Sequence, residues 1–283
     1  MTIREMEPED LPVALRVINE EGWGYTQPEI ERMLRLEPSG SFVYIDKELM
    51  GAITTVVHGS IGVIGHLVVS KHARGKGIGR ALLKHAIDYL RLRKTDSIIV
   101  IATNEGRPLY SKHGFKVERE VLCKHFMIEN AHAELPFSKA EPMLRGDLKR
   151  VSRIDCELFG DDRLALINLL YDEYPQACYK LVEDKEIVGF SMARKTATGY
   201  DFGPWVCRPS AYHAARSLLN ATLSACGPGK VYCGLFEENR PAVSITETLP
   251  LFKMWSTMLM VLGKSKCYPH IDQVFGIAAF ELG

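Results

Sequence analysis

The sequence predicts two tandem domains of mixed α/β class, each built on a mixed sheet, and three observations carry that expectation. Short β-rich runs over residues 41–69 lead into a strand, a glycine-rich turn, an amphipathic helix and a further strand over 64–103, which reads as a βαβ unit following an antiparallel meander. The segment "DKELMG" (46–51) recurs as "DKEIVG" (184–189), and at that same offset of 138, Gly65 falls on Gly203 and "LVV" (67–69) on "WVC" (205–207). A chain of 283 residues, 46% apolar, suffices for two cores. The expected boundaries are a first domain over 1–130, a linker over 131–139 and a second domain over 140–283, because 128–143 has two prolines and little periodicity.

Element by element, Leu11, Leu15 and Ile18 recur at helical spacing after the start signal Pro8-Glu9-Asp10, and a second helix follows Gln27-Pro28-Glu29. Between them "EGWGYT" reads as a loop carrying Glu21, Trp23 and Tyr25. "SFVYID" and "MGAITTVV" form a hairpin about the polar turn Lys47-Glu48-Leu49, and "IGHLVV" (64–69) supplies another strand. Ala81, Leu82, Leu83, Ala86, Ile87 and Leu90 make one apolar stripe at 3.6-residue periodicity, and "SIIVIAT" (97–103) is a buried strand.

Composition excludes several function classes. Thirty-five basic residues balance thirty-five acidic ones, so no global field favours nucleic acid or an anionic membrane, and any anion site must be local. No run approaches the roughly 20 apolar residues of a membrane span, and the opening "MTIREMEPEDLPVALRV" mixes charges instead of showing a cationic leader, so a cytoplasmic location is expected. The seven cysteines, at 123, 156, 178, 207, 226, 233 and 267, are odd in number and never spaced as CxxC, which points to reduced thiols and no metal site.

The stretch "RGKGIGRALL" (74–83) carries the chemistry. Glycine permits positive φ and close approach of a ligand to the backbone, and a helix N-terminus offers unpaired N–H groups. Arg74, Lys76 and Arg80 crowd that positive helix end, which makes sense if a polyanion neutralises them. A Rossmann loop needs GxGxxG and a Walker loop GxxxxGK[ST]; Gly75, Gly77 and Gly79 fit neither spacing. In the second copy "ARGKGIGRALL" lies over "AYHAARSLLNA" (211–221), so Arg74 becomes Tyr212 and the three glycines become His213, Ala215 and Ser217. The helical pattern survives there and the loop does not, so one ligand site is expected.

Arg74-x-x-Gly77-x-Gly79 between a strand and an amphipathic helix, within "IGHLVVSKHARGKGIGRALLKHAIDYL" and followed by "NEGRPLYSKHGF", resembles the GNAT superfamily of acyl-CoA-dependent N-acetyltransferases over residues 3–127. For residues 138–283 the resemblance rests on the duplication, "FGDDR" (159–163) and "FGIAAFELG". It implies two tandem GNAT folds and acetyl-CoA as co-substrate, its pyrophosphate held by the backbone of Arg74, Gly75, Lys76, Gly77, Ile78, Gly79 and Arg80. It further implies that Leu67, Val68 and Val69 lie on a strand splayed from its neighbour and meet the acetyl and pantetheine portions. Tyr110 matches the general acid near the sulfur, Asn104 a cofactor-binding asparagine, and Trp23 and Tyr25 the wall of the acceptor pocket.

The general base stays open between His66, whose ordinary pKa near 6.5 suits proton abstraction, a water chain, and Glu21. The resulting expectation is direct acetyl transfer to a primary amine of a small molecule or peptide, with no metal, nucleic-acid or membrane partner; oligomeric state is open. Acidic loop residues Asp161, Asp162, Glu237 and Glu238 are expected to add acceptor contacts from the second domain. The alternative is a non-catalytic acyl-CoA-binding sensor.

Overall fold

The computed structural model describes residues 1–128 and 139–283, so the expected linker lies outside the described residues apart from Lys139. In chain order the first repeat comprises β1 (Thr2–Glu5), α1 (Leu11–Asn19), α2 (Gln27–Leu36), β2 (Ser41–Asp46), β3 (Glu48–His58), β4 (Ile61–Val69), α3 (Ile78–Leu92), β5 (Ser97–Ala102), α4 (Arg107–Lys112) and β6 (Lys116–Ile128). The second comprises β7 (Ala140–Pro142), α5 (Leu148–Phe159), α6 (Leu164–Glu173), β8 (Cys178–Glu183), β9 (Glu186–Lys195), β10 (Gly199–Cys207), α7 (Ala215–Cys226), β11 (Gly229–Phe236), α8 (Arg240–Glu247), β12 (Leu251–Gly263) and β13 (Val274–Gly276). Strand β10 lies 138 residues after β4 at both ends, as the recurring hexapeptide predicted.

The chain packs as two compact units, one of Met1–Glu118, Leu259–Ser265 and Leu282, the other of Arg119–Met258, Lys266–Glu281 and Gly283. In the first, the sheet runs β1-β2-β3-β4-β5 with the last residues of β12 beside β5. Pairing is antiparallel through β4 and parallel between β4 and β5, as the βαβ reading requires. Side chains alternate across the strands. Val43, Ala52 and Val68 join Leu11, Ala14, Val17, Ile18 and Ile30 in a core under α1 and α2. The other face receives Ile78, Leu82 and Leu90 of α3, which close on Gly51 and Gly62. Helix α1 is preceded by a 3₁₀ turn over Pro8–Asp10 that Arg4 secures at 2.6 Å from Asp10, a bond that lowers the Asp10 pKa. Helix α2 opens on a capping box in which the Thr26 N–H donates to Glu29 at 2.7 Å.

In the second unit the sheet contains β6, β11, β10, β9, β8 and β7 together with the start of β12, and β13 is added against β10. No described helix is long and apolar enough to cross a membrane. All seven cysteines are free, and burial pushes the thiols of Cys123, Cys178, Cys207, Cys226 and Cys233 up to about 12.

The recurring hexapeptide has a steric cause. A Cβ on Gly51 would lie 2.8 Å from the Val68 carbonyl oxygen, and one on Gly189 would lie 2.8 Å from the Val206 carbonyl oxygen. Both glycines end a tight hairpin and let the next strand approach. Gly51→Ala and Gly189→Ala are each expected to destabilise the protein by about 1–3 kcal/mol in chemical denaturation. Gly146→Ala, where a Cβ meets nothing within 4 Å, should stay within about 0.5 kcal/mol of the parent.

Candidate active site

The site is built where two neighbouring strands part. Parallel pairing of β4 with β5 ends at Ile64↔Val100, although β4 continues to Val69 and β5 to Ala102. On its other side β4 stays paired with β3 through Gly51↔Val69, but two residues, His66 and Leu67, stand opposite the single Ile53. This is a β-bulge, a device that bends a strand and increases its twist. At the bulge His66 takes a left-handed φ of 46°, unusual for a residue with a side chain. The backbone of Leu67, Val68 and Val69 thereby leaves β5.

The glycine loop follows directly. Gly75 and Gly77 have φ of 77° and 82°, and a Cβ on either would meet nothing within 4 Å, so the glycines serve backbone conformation and an open approach. Gly77 is the N-cap residue of α3. Its carbonyl accepts the Ala81 N–H at 3.0 Å, whereas the N–H groups of Gly75, Lys76, Gly77, Ile78, Gly79 and Arg80 donate to no protein group among the described residues. Six consecutive unpaired donors at a helix N-terminus, flanked by Arg74, Lys76 and Arg80, form an anion cradle. Gly79 is instead helical; a Cβ there would contact Val69 and Leu109 at 3.5 and 3.6 Å, so the end of β4, the start of α3 and α4 meet at it.

The loop after α1 reaches the same place. Tyr25 is held through its backbone by Asn19, which accepts the Tyr25 N–H at 2.9 Å and donates to its carbonyl at 2.7 Å. The Tyr25 ring meets His66 edge-on at 4.4 Å, and Trp23, 42% exposed, meets Tyr25 at 6.2 Å. His66 itself is buried, its Nδ1 2.9 Å from Thr54 Oγ1. Trp23, Tyr25 and His66 therefore form a ladder of rings from the surface to the bulge. Glu21 pairs with the Arg74 guanidinium, and Arg74 Nε donates to the Val69 carbonyl at 3.0 Å.

Sequence reasoning missed the residue before it. Glu20 accepts the Lys71 N–H at 2.8 Å and the Ser70 hydroxyl at 2.9 Å, and these bonds, the backbone one foremost, hold its carboxyl below the usual range. Ser70 Oγ also lies 2.9 Å from His72 Nδ1. No spacing rule links positions 20 and 70, so only the fold reveals this clamp.

Tyr110 lies on α4 with its ring edge-on to Phe115 at 5.6 Å. It is 7% exposed, and burial pushes its phenol well above the ordinary tyrosine value. Among the described residues its hydroxyl has no hydrogen-bond partner. Asn104 is exposed and likewise makes no side-chain hydrogen bond. The turn after β5 is closed by Thr103 instead, whose carbonyl accepts from Gly106 and Arg107 and whose hydroxyl accepts from Gly106 at 3.2 Å.

Residues 18–127 match a family model described as an acetyltransferase (GNAT) domain, and residues 151–276 match a second model of the same description. The chain belongs to the GNAT acetyltransferase family. It is an acetyltransferase with two tandem GNAT domains, and enzymes of this family use acetyl-CoA. Over 233 residues, 80% of each chain, it is 23% identical to YitH, an uncharacterized N-acetyltransferase of Bacillus subtilis (strain 168). A putative acetyltransferase from Pyrococcus horikoshii shares the fold with a TM-score of 0.81 and 20% identity, over 100% of this chain and 95% of that one. A tandem GNAT protein from the clavulanic acid biosynthesis pathway gives 0.65 and 13% identity, over 93% and 99%.

The second GNAT domain treats the corresponding positions differently. Its β10 pairs with β11 only over Gly199–Asp201 and then departs, with a bulge at Gly203 and Pro204. Into that opening comes β13, antiparallel to β10 through Trp205↔Gly276 and Val206↔Val274, with the Ile277 N–H donating to the Gly234 carbonyl of β11 at 2.9 Å. A 3₁₀ helix, Pro209–Ala214, replaces the glycine loop. Tyr212, which stands where Arg74 stands, donates to the Asp272 carbonyl at 2.6 Å and packs on Phe275 at 5.4 Å. Asn239, just after β11, donates to the carbonyls of Ile271, Asp272 and Val274 at 2.9–3.1 Å. The acidic loop residues are tied locally. Asp161 accepts from the Asp162 N–H, Asp162 accepts the Leu164 N–H, Glu237 pairs with Arg240 and Glu238 with Arg119.

A calorimetric titration with coenzyme A is therefore expected to saturate at one ligand per chain. The Gly77→Glu, Gly79→Glu double variant should lose that heat, together with the gain of about 2.7 kcal/mol that ligand at 100 times its dissociation constant gives the parent.

Proposed function

We propose that the protein transfers the acetyl group of acetyl-CoA directly to a primary amine of a small molecule or peptide, with the cofactor held by the first domain. The observation that carries this reading is the row of six unpaired N–H donors from Gly75 to Arg80 opening beside the parted end of β4. In it the cradle binds the pyrophosphate, with Arg74, Lys76 and Arg80 adding charge. Backbone groups of Leu67, Val68 and Val69 align the pantetheine arm and polarise the thioester carbonyl, and Asn104 adds a side-chain contact. The amine nitrogen forms a bond to the carbonyl carbon, the carbon–sulfur bond breaks, and Tyr110 gives its proton to the departing thiolate.

The chemistry of Tyr110 supports that role. A phenol raised by burial stays protonated across the physiological range and so remains a donor. The amine must lose a proton before or during attack. His66 is the candidate side chain for this, its ring held with Nδ1 2.9 Å from Thr54 Oγ1; a water chain is the other route. Trp23 and Tyr25 line the acceptor side. A cysteine acyl relay is disfavoured, because burial holds Cys123 and most of the other thiols in the protonated, unreactive form.

The test is acetylation of a panel of amines, read as release of free thiol from acetyl-CoA. Tyr110→Phe should lower kcat about 100-fold while coenzyme A binding persists. Because the raised phenol keeps its proton, the parent rate should not fall as pH rises through about 10, where an ordinary tyrosine ionises. Tight acetyl-CoA binding with no amine of the panel acetylated would instead favour a sensor.

A further inference from the structure

Two neighbouring carboxylates at the end of α1 hold the entry to the cofactor loop, and the segment that carries them also carries Trp23. Glu20 fixes Ser70 and Lys71, and Glu21 holds Arg74, the first cation of the loop. Asn19 holds Tyr25 from the other end. The short stretch Gly22-Trp23-Gly24, whose Gly22 N–H donates to the Asn19 carbonyl at 2.9 Å, therefore runs from the Glu20 and Glu21 attachments at the cofactor loop to the Tyr25 attachment at the acceptor wall.

The Glu21–Arg74 pair is the weaker attachment, since both side chains are partly exposed and an exposed ion pair contributes little. A pyrophosphate offers a guanidinium the same charge-assisted, bidentate contacts as a carboxylate, with more negative charge and beside the helix N-terminus. A pyrophosphate in the cradle would also repel the Glu21 carboxylate. We propose that Glu21 is a positioning residue that couples the two halves of the site: filling the cradle draws Arg74 from Glu21, and the stretch beyond the Glu20 clamp, freed of that one bond, shifts Trp23 on the acceptor wall. By linkage an amine that prefers the moved wall tightens cofactor binding by the same factor. This inference rests on reading the glycine loop as a coenzyme A site.

The experiment uses the full chain with coenzyme A as probe, following heat and tryptophan emission together. The parent is expected to bind with a shift in emission that Trp23→Phe removes. Glu21→Gln should still bind, about two- to fivefold more tightly because Arg74 is no longer competed for, yet show no emission shift. Glu21→Asp, which keeps the charge, should retain part of the shift. Binding heat in the parent without a Trp23 response, or a Trp23 response that survives in Glu21→Gln, overturns the coupling alone. Absence of binding heat in the parent overturns the cofactor reading and the coupling with it.

Discussion

Strand β4 is paired on both sides at Ile64 and on one side at Val68, and the rest of the first domain's chemistry depends on that change. A strand that stays hydrogen-bonded to both neighbours has no backbone groups to offer a ligand. The bulge at His66 and Leu67 turns the end of β4 away from β5 while β3 keeps hold of it. Three consequences meet there: an unpaired strand edge, a loop that emerges at the mouth of the opening, and a buried histidine in an unusual backbone conformation facing the aromatic loop. Gly51 lets β3 follow β4 through the bend without a clash.

The second domain shows what happens when the same opening closes on the chain itself. The departure of β10 from β11 is preserved, yet β13 runs in the gap paired with β10, and Ile277 just after it donates to the Gly234 carbonyl of β11. Tyr212, at the position of Arg74, and Asn239, just after β11, hold β13 and the turn before it. An extended peptide satisfies a parted sheet as well as an external ligand would, since both supply donors and acceptors at strand spacing.

Much of this was legible from local signals. Glycine spacing and the apolar stripe of α3 announced the positive-φ loop and the helix it opens, and the exact recurrence of "DKE" with its glycine announced the duplication, because both depend on residues close in sequence. The placement of β6 among the strands of the second unit, and of Leu259–Gly263 beside β5, had no such signal, since nothing in a strand's alternation names its partner. The Glu20 clamp spans fifty residues and joins ordinary polar side chains. Glu21, read as a base candidate, is engaged by Arg74, and Thr103, which no motif marked, closes the turn after β5 one position before Asn104.

The strand in the second domain's gap also bears on how this duplication can change over time. Two separate features set that opening apart from the one in the first domain: a loop without glycines and a gap already occupied by β13. Restoring glycines at 213, 215 and 217 would rebuild a cradle above a filled slot, and removing β13 would open a slot with no cradle. Neither step alone would make the second opening match the first, so the two repeats differ by linked changes and not by one.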